Sequence, residues 1–264
     1  MKFVLLYILI YIPVELKSYR DIDTSVTKNI KSVVNIEFGS LLGNGVAEFF
    51  DIYNKIMKKD ANSESTEGFS NSLTWKFAYK LKVKEKYRVG IEVLYYQTKM
   101  YDLYDEDAVY FSEHYSRKHI QEVIFSSVPF LISFDYLPFS KSQFRTYYGI
   151  SIGATSSEIR WTEEVLTPVD RDPRKDGLSI NDKEIFGTYR IYSGLELGFD
   201  KEEKKSFFGG VIFEIGITHI FNRYKVFAPL NKQLSKPKKE LKQAIAILPI
   251  YISMNMGISF NFYY

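Results

Sequence analysis

The 264-residue sequence contains no cysteine. That absence excludes a disulfide scaffold, a thiolate metal or iron–sulfur centre, a cysteine nucleophile and a lipid-modified N-terminal cysteine. Glycine and proline are also sparse, at 15 and 8, which excludes a collagen-like chain, and the aliphatic and aromatic content excludes disorder. Charge of one sign is missing too: 35 basic against 32 acidic residues leave +3, too little to bring nucleic acid to the chain by itself. No apolar run reaches the length of about 18 residues that a membrane-spanning helix requires. What is abundant is aromatic, with 21 Tyr, 21 Phe and 2 Trp. All-β barrels of this size form a single domain.

The first residues, MKFVLLYILIYIPV, place Lys2 ahead of ten apolar residues, Phe3 to Ile12, closed by Pro13. A run of about 10 to 14 suits a secretory signal better than a membrane span. The expected organisation is a signal over 1–18, with Leu16-Lys17-Ser18 as its weak cleavage hint, a periplasmic segment over 19–31 and one barrel domain over 32–264. The competing reading of the N-terminus is a buried strand.

From Ser32 the apolar residues recur at every second position, the period of a strand with different surroundings on its two faces. Ile250, Ile252, Met254, Met256, Ile258, Phe260, Phe262 and Tyr264 alternate with Tyr251, Ser253, Asn255, Gly257, Ser259, Asn261 and Tyr263. Fifteen alternating positions exceed a soluble sandwich strand of about 5 or 6 residues. Seven earlier segments repeat the pattern, around 32–42, 72–83, 87–98, 119–137, 144–161, 187–199 and 206–221. The polar faces are rich in Gly, Ser and Tyr, and aromatics bracket the apolar runs, as Trp75 with Tyr79 and Tyr87 with Tyr95 do. That is the inverted arrangement of a membrane barrel, aliphatics to lipid and aromatic girdles at the interfaces. The polar faces also carry Glu37, Glu92, Asp135, Glu196 and Glu214 against Lys76, Lys80, Arg88, Arg145 and Arg190. Equal numbers of opposite charge are what a narrow lumen requires, because buried charges persist only when paired. With Tyr147, Tyr192 and Tyr251 pointing the same way, the lumen is expected to be filled, since eight strands enclose only enough room for side chains.

The intervals between segments alternate. Those at 84–86, 138–143 and 201–205 are short, and those at 43–70, 99–118, 162–185 and 222–243 are long. Even strand number, short periplasmic turns and long outer loops define an outer-membrane barrel, so the fold expected is all-β, an eight-stranded antiparallel transmembrane up-and-down β-barrel. On these alternating segments, the loop pattern, the Ser127-Val128-Pro129 segment and the ending at Ile258, Phe260, Phe262 and Tyr264, the chain resembles the small eight-stranded outer-membrane barrels of the OmpX, OmpW and opacity-like group. The resemblance implies a bacterial outer-membrane location and a C-terminal signal read by the barrel-assembly machinery. It implies a monomer in contact with outer-membrane lipid and lipopolysaccharide, with no cofactor, no metal and no nucleic-acid partner.

Function is then expected in the outer loops: envelope structure, adhesion or passage of a small hydrophobic solute. The last long interval is basic, with Arg223, Lys225, Lys232, Lys236, Lys238, Lys239 and Lys242 against Glu240, a rim able to face lipopolysaccharide phosphates. Residues 46–57 carry Val46, Phe49, Phe50, Tyr53, Ile56 and Met57 at helical spacing. Asp102, Asp105 and Asp107 in the acidic 99–118 interval offer hard oxygens that suit calcium, without the glycine of a helical calcium loop.

Two alternatives stand beside the non-enzymatic barrel. A lipid A deacylase-like enzyme would use His114 and Ser116, two apart, oriented by Glu122 or Glu113, because a serine needs a base and the base an orienting group. On this reading His114 lies in the acidic loop, and His119 and His219 have no such companion. The second alternative is a secreted soluble barrel with the opposite facing and an internal ligand.

Overall fold

The computed structural model describes residues 30–45, 70–139, 144–172, 174–199, 207–221 and 248–263. The signal segment, the 46–57 helical pattern, the basic 223–242 interval, the 201–205 turn and Tyr264 lie outside these residues. The described strands are β1 (Ile30–Gly45), β2 (Ser70–Lys84), β3 (Tyr87–Tyr110), β4 (Glu113–Tyr136), β5 (Phe144–Leu166), β6 (Ser179–Gly198), β7 (Phe208–Ile220) and β8 (Leu248–Tyr263). Each pairs antiparallel with the next, and β8 returns to β1 through Val34↔Phe260 and Ile36↔Ile258, so the sheet closes on itself. Closure leaves no unpaired edge around the ring.

Period two sets the facing. Ile36, Phe38, Leu73, Phe77, Leu81, Val89, Ile91, Phe130, Ile132, Phe134, Ile150, Ile152, Ile191, Phe213, Ile215, Met254 and Met256 are exposed around the outside. Their neighbours in sequence are buried within, among them Glu37, Lys76, Lys80, Glu92, Asp135, Arg190, Glu196 and Glu214. Water cannot be the partner of such an outer surface without a large hydrophobic cost. Aromatics flank the apolar belt: Tyr87 packs on Phe134 and Tyr136 at one margin, and Trp75 stacks on Tyr95 at 5.7 Å towards the other.

The strands are unequal. β1, β2, β7 and β8 run 16, 15, 13 and 16 residues, whereas β3 to β6 run 24, 24, 23 and 20. The four longer strands rise beyond the ring as a stepped wall. Pairing between β4 and β5 continues to Lys118↔Leu166, and between β3 and β4 to Tyr110↔Glu113.

This corrects the loop reading of 99–118. Those residues are the upper halves of β3 and β4, joined by a two-residue turn at Phe111 and Ser112 with φ of 49° and 70°. The alternation does continue there, with Met100, Asp102 and Tyr104 inward and Tyr101 and Leu103 outward. A sheet above the lipid level no longer needs an apolar outer face, so charged residues occupy it. The 162–185 interval shrinks in the same way to 167–178, between the ends of β5 and β6.

Candidate functional site

Inside the ring the ten lumen charges form one continuous chain of alternating sign. Glu37 meets Lys76 at 2.7 Å, and Lys76 also meets Glu214; Glu214 meets Arg190 at 2.6 Å, and Arg190 lies 3.6 Å from Glu92. Glu92 continues to Lys80 at 3.0 Å, Lys80 to Asp135 at 2.8 Å, Asp135 to Arg88 at 3.1 Å, Arg88 to Glu196 at 3.3 Å and Glu196 to Arg145 at 3.2 Å. Seven strands contribute, and every interior member meets a counter-charge on both sides, so the attraction is spread along the chain.

Tyrosines fill what remains. Tyr147 donates its hydroxyl to Glu214 at 2.9 Å, Tyr192 donates to Asp135, and Ser259 donates to Glu196 at 3.1 Å. The guanidinium of Arg190 lies 4.6 Å from the Tyr192 ring centre, and that of Arg88 lies 5.1 Å from Tyr147, close enough for cation–π attraction. The rings fit because the next strand presents glycine. Tyr147 stands opposite Gly194 and Tyr192 opposite Gly149. A Cβ on Gly194 would lie 2.2 Å from the Tyr147 ring, and one on Gly149 would lie 2.1 Å from the Tyr192 ring.

A second polar cluster sits on the inner face of the wall, where the 167–178 connection folds back. The Glu163 amide donates to the Leu178 carbonyl at 2.7 Å, and Gly177, at φ 64°, brings the chain so close that a Cβ would meet the Glu163 carbonyl. The connection is pinned by Asp172. Its carboxylate accepts from Arg117 at 2.6 Å, from the Tyr115 hydroxyl at 2.7 Å, from Thr167 at 3.0 Å and from the Arg174 amide at 2.8 Å. Desolvation pushes this carboxyl up, but the four donors outweigh it and hold Asp172 well below the usual carboxylate range.

Directly beneath, His119 is fully buried between two carboxylates, Nδ1 at 2.9 Å from Glu163 and Nε2 at 2.9 Å from Glu106, and it stacks on Tyr104 with ring centres 4.7 Å apart. Carboxylates only accept, so both contacts are hydrogen bonds only when each ring nitrogen carries a proton. Gln121 also donates to Glu163 at 2.8 Å and accepts from the Trp161 indole at 3.0 Å. Burial raises the Glu163 carboxyl, but His119, Arg174 and Gln121 together bring it below its usual value. His119 has no serine two residues on, but it does have carboxylate companions that the local sequence does not show. They come from β3 and β5, 13 and 44 residues away in sequence, and only the strand register brings them together.

The deacylase-like trio is not assembled. His114 lies on β4 rather than in a loop, and His114, Ser116 and Glu122 share its outer face. Eight residues of strand separate His114 from Glu122, roughly 27 Å at about 3.4 Å per residue, so Glu122 cannot orient His114, and Glu113, its immediate neighbour on the strand, alternates to the other face. Glu122 instead faces Lys99 at 3.6 Å. The acidic trio separates too, Asp102 facing inward and Asp105 and Asp107 outward on β3. Among the described residues no group of three or more His, Asp or Glu is placed to hold a metal. Ile258 and Phe260 lie on the outer face of β8, with Phe260 against Phe207 and Phe208 and Phe262 against Phe207.

No protein-family model matches this sequence, nor does any curated protein sequence. Among solved structures, the chain is similar to Ail, the attachment invasion locus protein of Yersinia pestis, at 8% identity and a TM-score of 0.40, over 88% of this chain and 100% of that one. A second Ail structure, in complex with the heparin analogue sucrose octasulfate, matches at 7% identity, a TM-score of 0.38 and the same coverage. Neisserial surface protein A is similar at 9% identity and a TM-score of 0.32, over 88% of this chain and 94% of that one.

Proposed function

We propose that this chain is a non-enzymatic bacterial outer-membrane barrel, closed to solute along its axis, that works as a rigid anchor for the wall it raises above the membrane. The observation that carries this reading is the inversion of the barrel, with a continuous apolar belt outside and a ten-residue ion chain inside. The belt on β2, from Leu73 to Val83, is eleven residues long, which suits a tilted strand crossing a bilayer of ordinary thickness, about 9 to 11 residues. The belt makes membrane lipid the natural neighbour, and lipopolysaccharide and the assembly machinery the partners of its outer margin and its C-terminal strand. The filled lumen argues against a diffusion pore.

The test is extraction and gel mobility. The folded protein is expected to partition into detergent and to migrate differently before and after boiling. A chain that stays soluble and monodisperse without detergent, with no boiling-dependent shift, removes the membrane reading and restores the soluble ligand-holding barrel.

A further inference from the structure

The apex of the β3–β4 hairpin breaks two rules at once. A two-residue turn with positive φ at both positions is the place for Asn-Gly, yet here it is Phe111-Ser112, with φ of 49° and 70°. A bulky aromatic in the left-handed region is an outlier that persists where something else requires it. Phe111 is also the most exposed large apolar side chain among the described residues, at 85%, with Val109 beside it at 57%. Tyr110 packs edge-on against Phe111 at 4.5 Å, which holds the two rings as one unit. Neither packing nor turn chemistry accounts for an aromatic at this point.

We propose that the apex is a lipid wedge, in which Val109, Tyr110 and Phe111 enter the interfacial zone of a zwitterionic phospholipid bilayer brought up against the outer side of the protein. The proposal rests on the membrane-barrel reading above, which fixes the direction in which the wall points. Three observations choose this partner. The tip is convex and only a few side chains wide, far short of the roughly 800 Å² per partner that a stable protein interface buries. A bilayer interface needs no shape complementarity and favours aromatic side chains.

Charge selects the kind of lipid. Asp105, Asp107 and Glu113 surround the apex. Asp105 stands opposite Lys118, but Asp107 and Glu113 stand opposite Ser116 and Tyr110, and Arg117 is committed to Glu106 and Asp172. Such a tip is repelled by an anionic leaflet. Its own membrane is out of reach, because the strand from Gln97 to Tyr110 rises roughly 30–40 Å at barrel tilt and is tied through β4 to β5 as far as Lys118↔Leu166.

The experiment uses the full chain in nanodiscs, mixed with protein-free phosphatidylcholine vesicles and floated on a density gradient, beside the double variant Phe111→Asn/Ser112→Gly. That variant installs the low-strain turn, so it keeps the hairpin while removing the wedge. The unaltered protein is expected to float with the vesicles, the variant at least about fivefold less, as loss of one partly inserted aromatic implies. With phosphatidylglycerol vesicles the difference between protein and variant is expected to be smaller than with phosphatidylcholine, because the acidic apex is repelled there while the basic 223–242 interval attracts both alike. Equal flotation of protein and variant overturns the proposal. So does a protein that ignores lipid vesicles and binds only vesicles carrying membrane proteins, which would assign the tip to a protein partner. Boiling-dependent mobility, read on the same samples, reports the barrel separately, so a failed wedge is distinguishable from a failed membrane reading.

Discussion

Asp172 is a carboxylate with four donors around it, and its position makes the 167–178 connection sensitive to acid. Because the folded carboxyl is held well below its ordinary value, the stability it gives is complete above the usual carboxylate pKa, about 4, and is lost as pH falls through the depressed one. Amide exchange across 167–178 should therefore be uniformly slow, after correction for intrinsic rates, at pH 5 to 7 and should accelerate below about pH 4. Asp172→Asn should exchange faster at neutral pH and lose the acid dependence. Arg117→Met, which leaves the carboxylate with three donors, should weaken closure by about 1.5–3 kcal/mol. Unchanged protection in both variants would mean that the connection is held by something else. The cluster was illegible in the sequence for a physical reason. His119, Glu106, Glu163 and Asp172 belong to three strands and a connection, and nothing local marks them as neighbours. The lumen charges were legible because alternation alone puts Glu37, Lys76 and Glu214 on inward faces, whichever partners they find there.

At the scale of the strand, the reciprocal Tyr147/Gly194 and Tyr192/Gly149 pairs lock β5 to β6 in a single register. A slip of β5 by one residue would turn each of its side chains to the other face, sending Arg145 outward and leaving Glu196 without it. Glycine at these positions makes room for a ring, so a side chain added there overpacks the lumen. Gly149→Val or Gly194→Val should each cost about 1–3 kcal/mol, read as a lower urea midpoint in detergent. Gly194→Val combined with Tyr147→Ala should recover part of that loss, and no recovery would show that the ring is not the obstacle. Alternation revealed that β5 and β6 exist, but not where they end. Segments such as 99–118 and 162–166 carry enough charge to pass for loops, although their period of two continues. The difference lies in the surroundings of the strand: below the belt margin lipid demands an apolar outer face, and above it water accepts Lys99, Asp105 and Lys118.

For the whole molecule, the charge of +3 conceals a lumen whose stability depends on pairing rather than on net charge. Lys76 shows this best, since it is fully buried between Glu37 and Glu214 near one end of the ion chain. Lys76→Met deletes one cation and leaves two carboxylates facing each other in a water-poor interior, a change that costs about 3–5 kcal/mol when a buried pair is broken. Adding Glu37→Gln removes the terminal acidic member, so the shortened chain begins at Glu214, still paired with Arg190. The double variant should regain at least half of the lost stability, since a neutralised pair is far cheaper to bury than an orphaned charge. Urea unfolding in micelles, followed by the boiling-dependent gel shift, measures both. Recordings across planar bilayers should stay silent for the unaltered protein and for the double variant, because Tyr147 and Tyr192 still fill the bore. If the single variant proves as stable as the double, the ion chain acts as independent pairs, and the balance of charge around the lumen is not what holds this barrel shut.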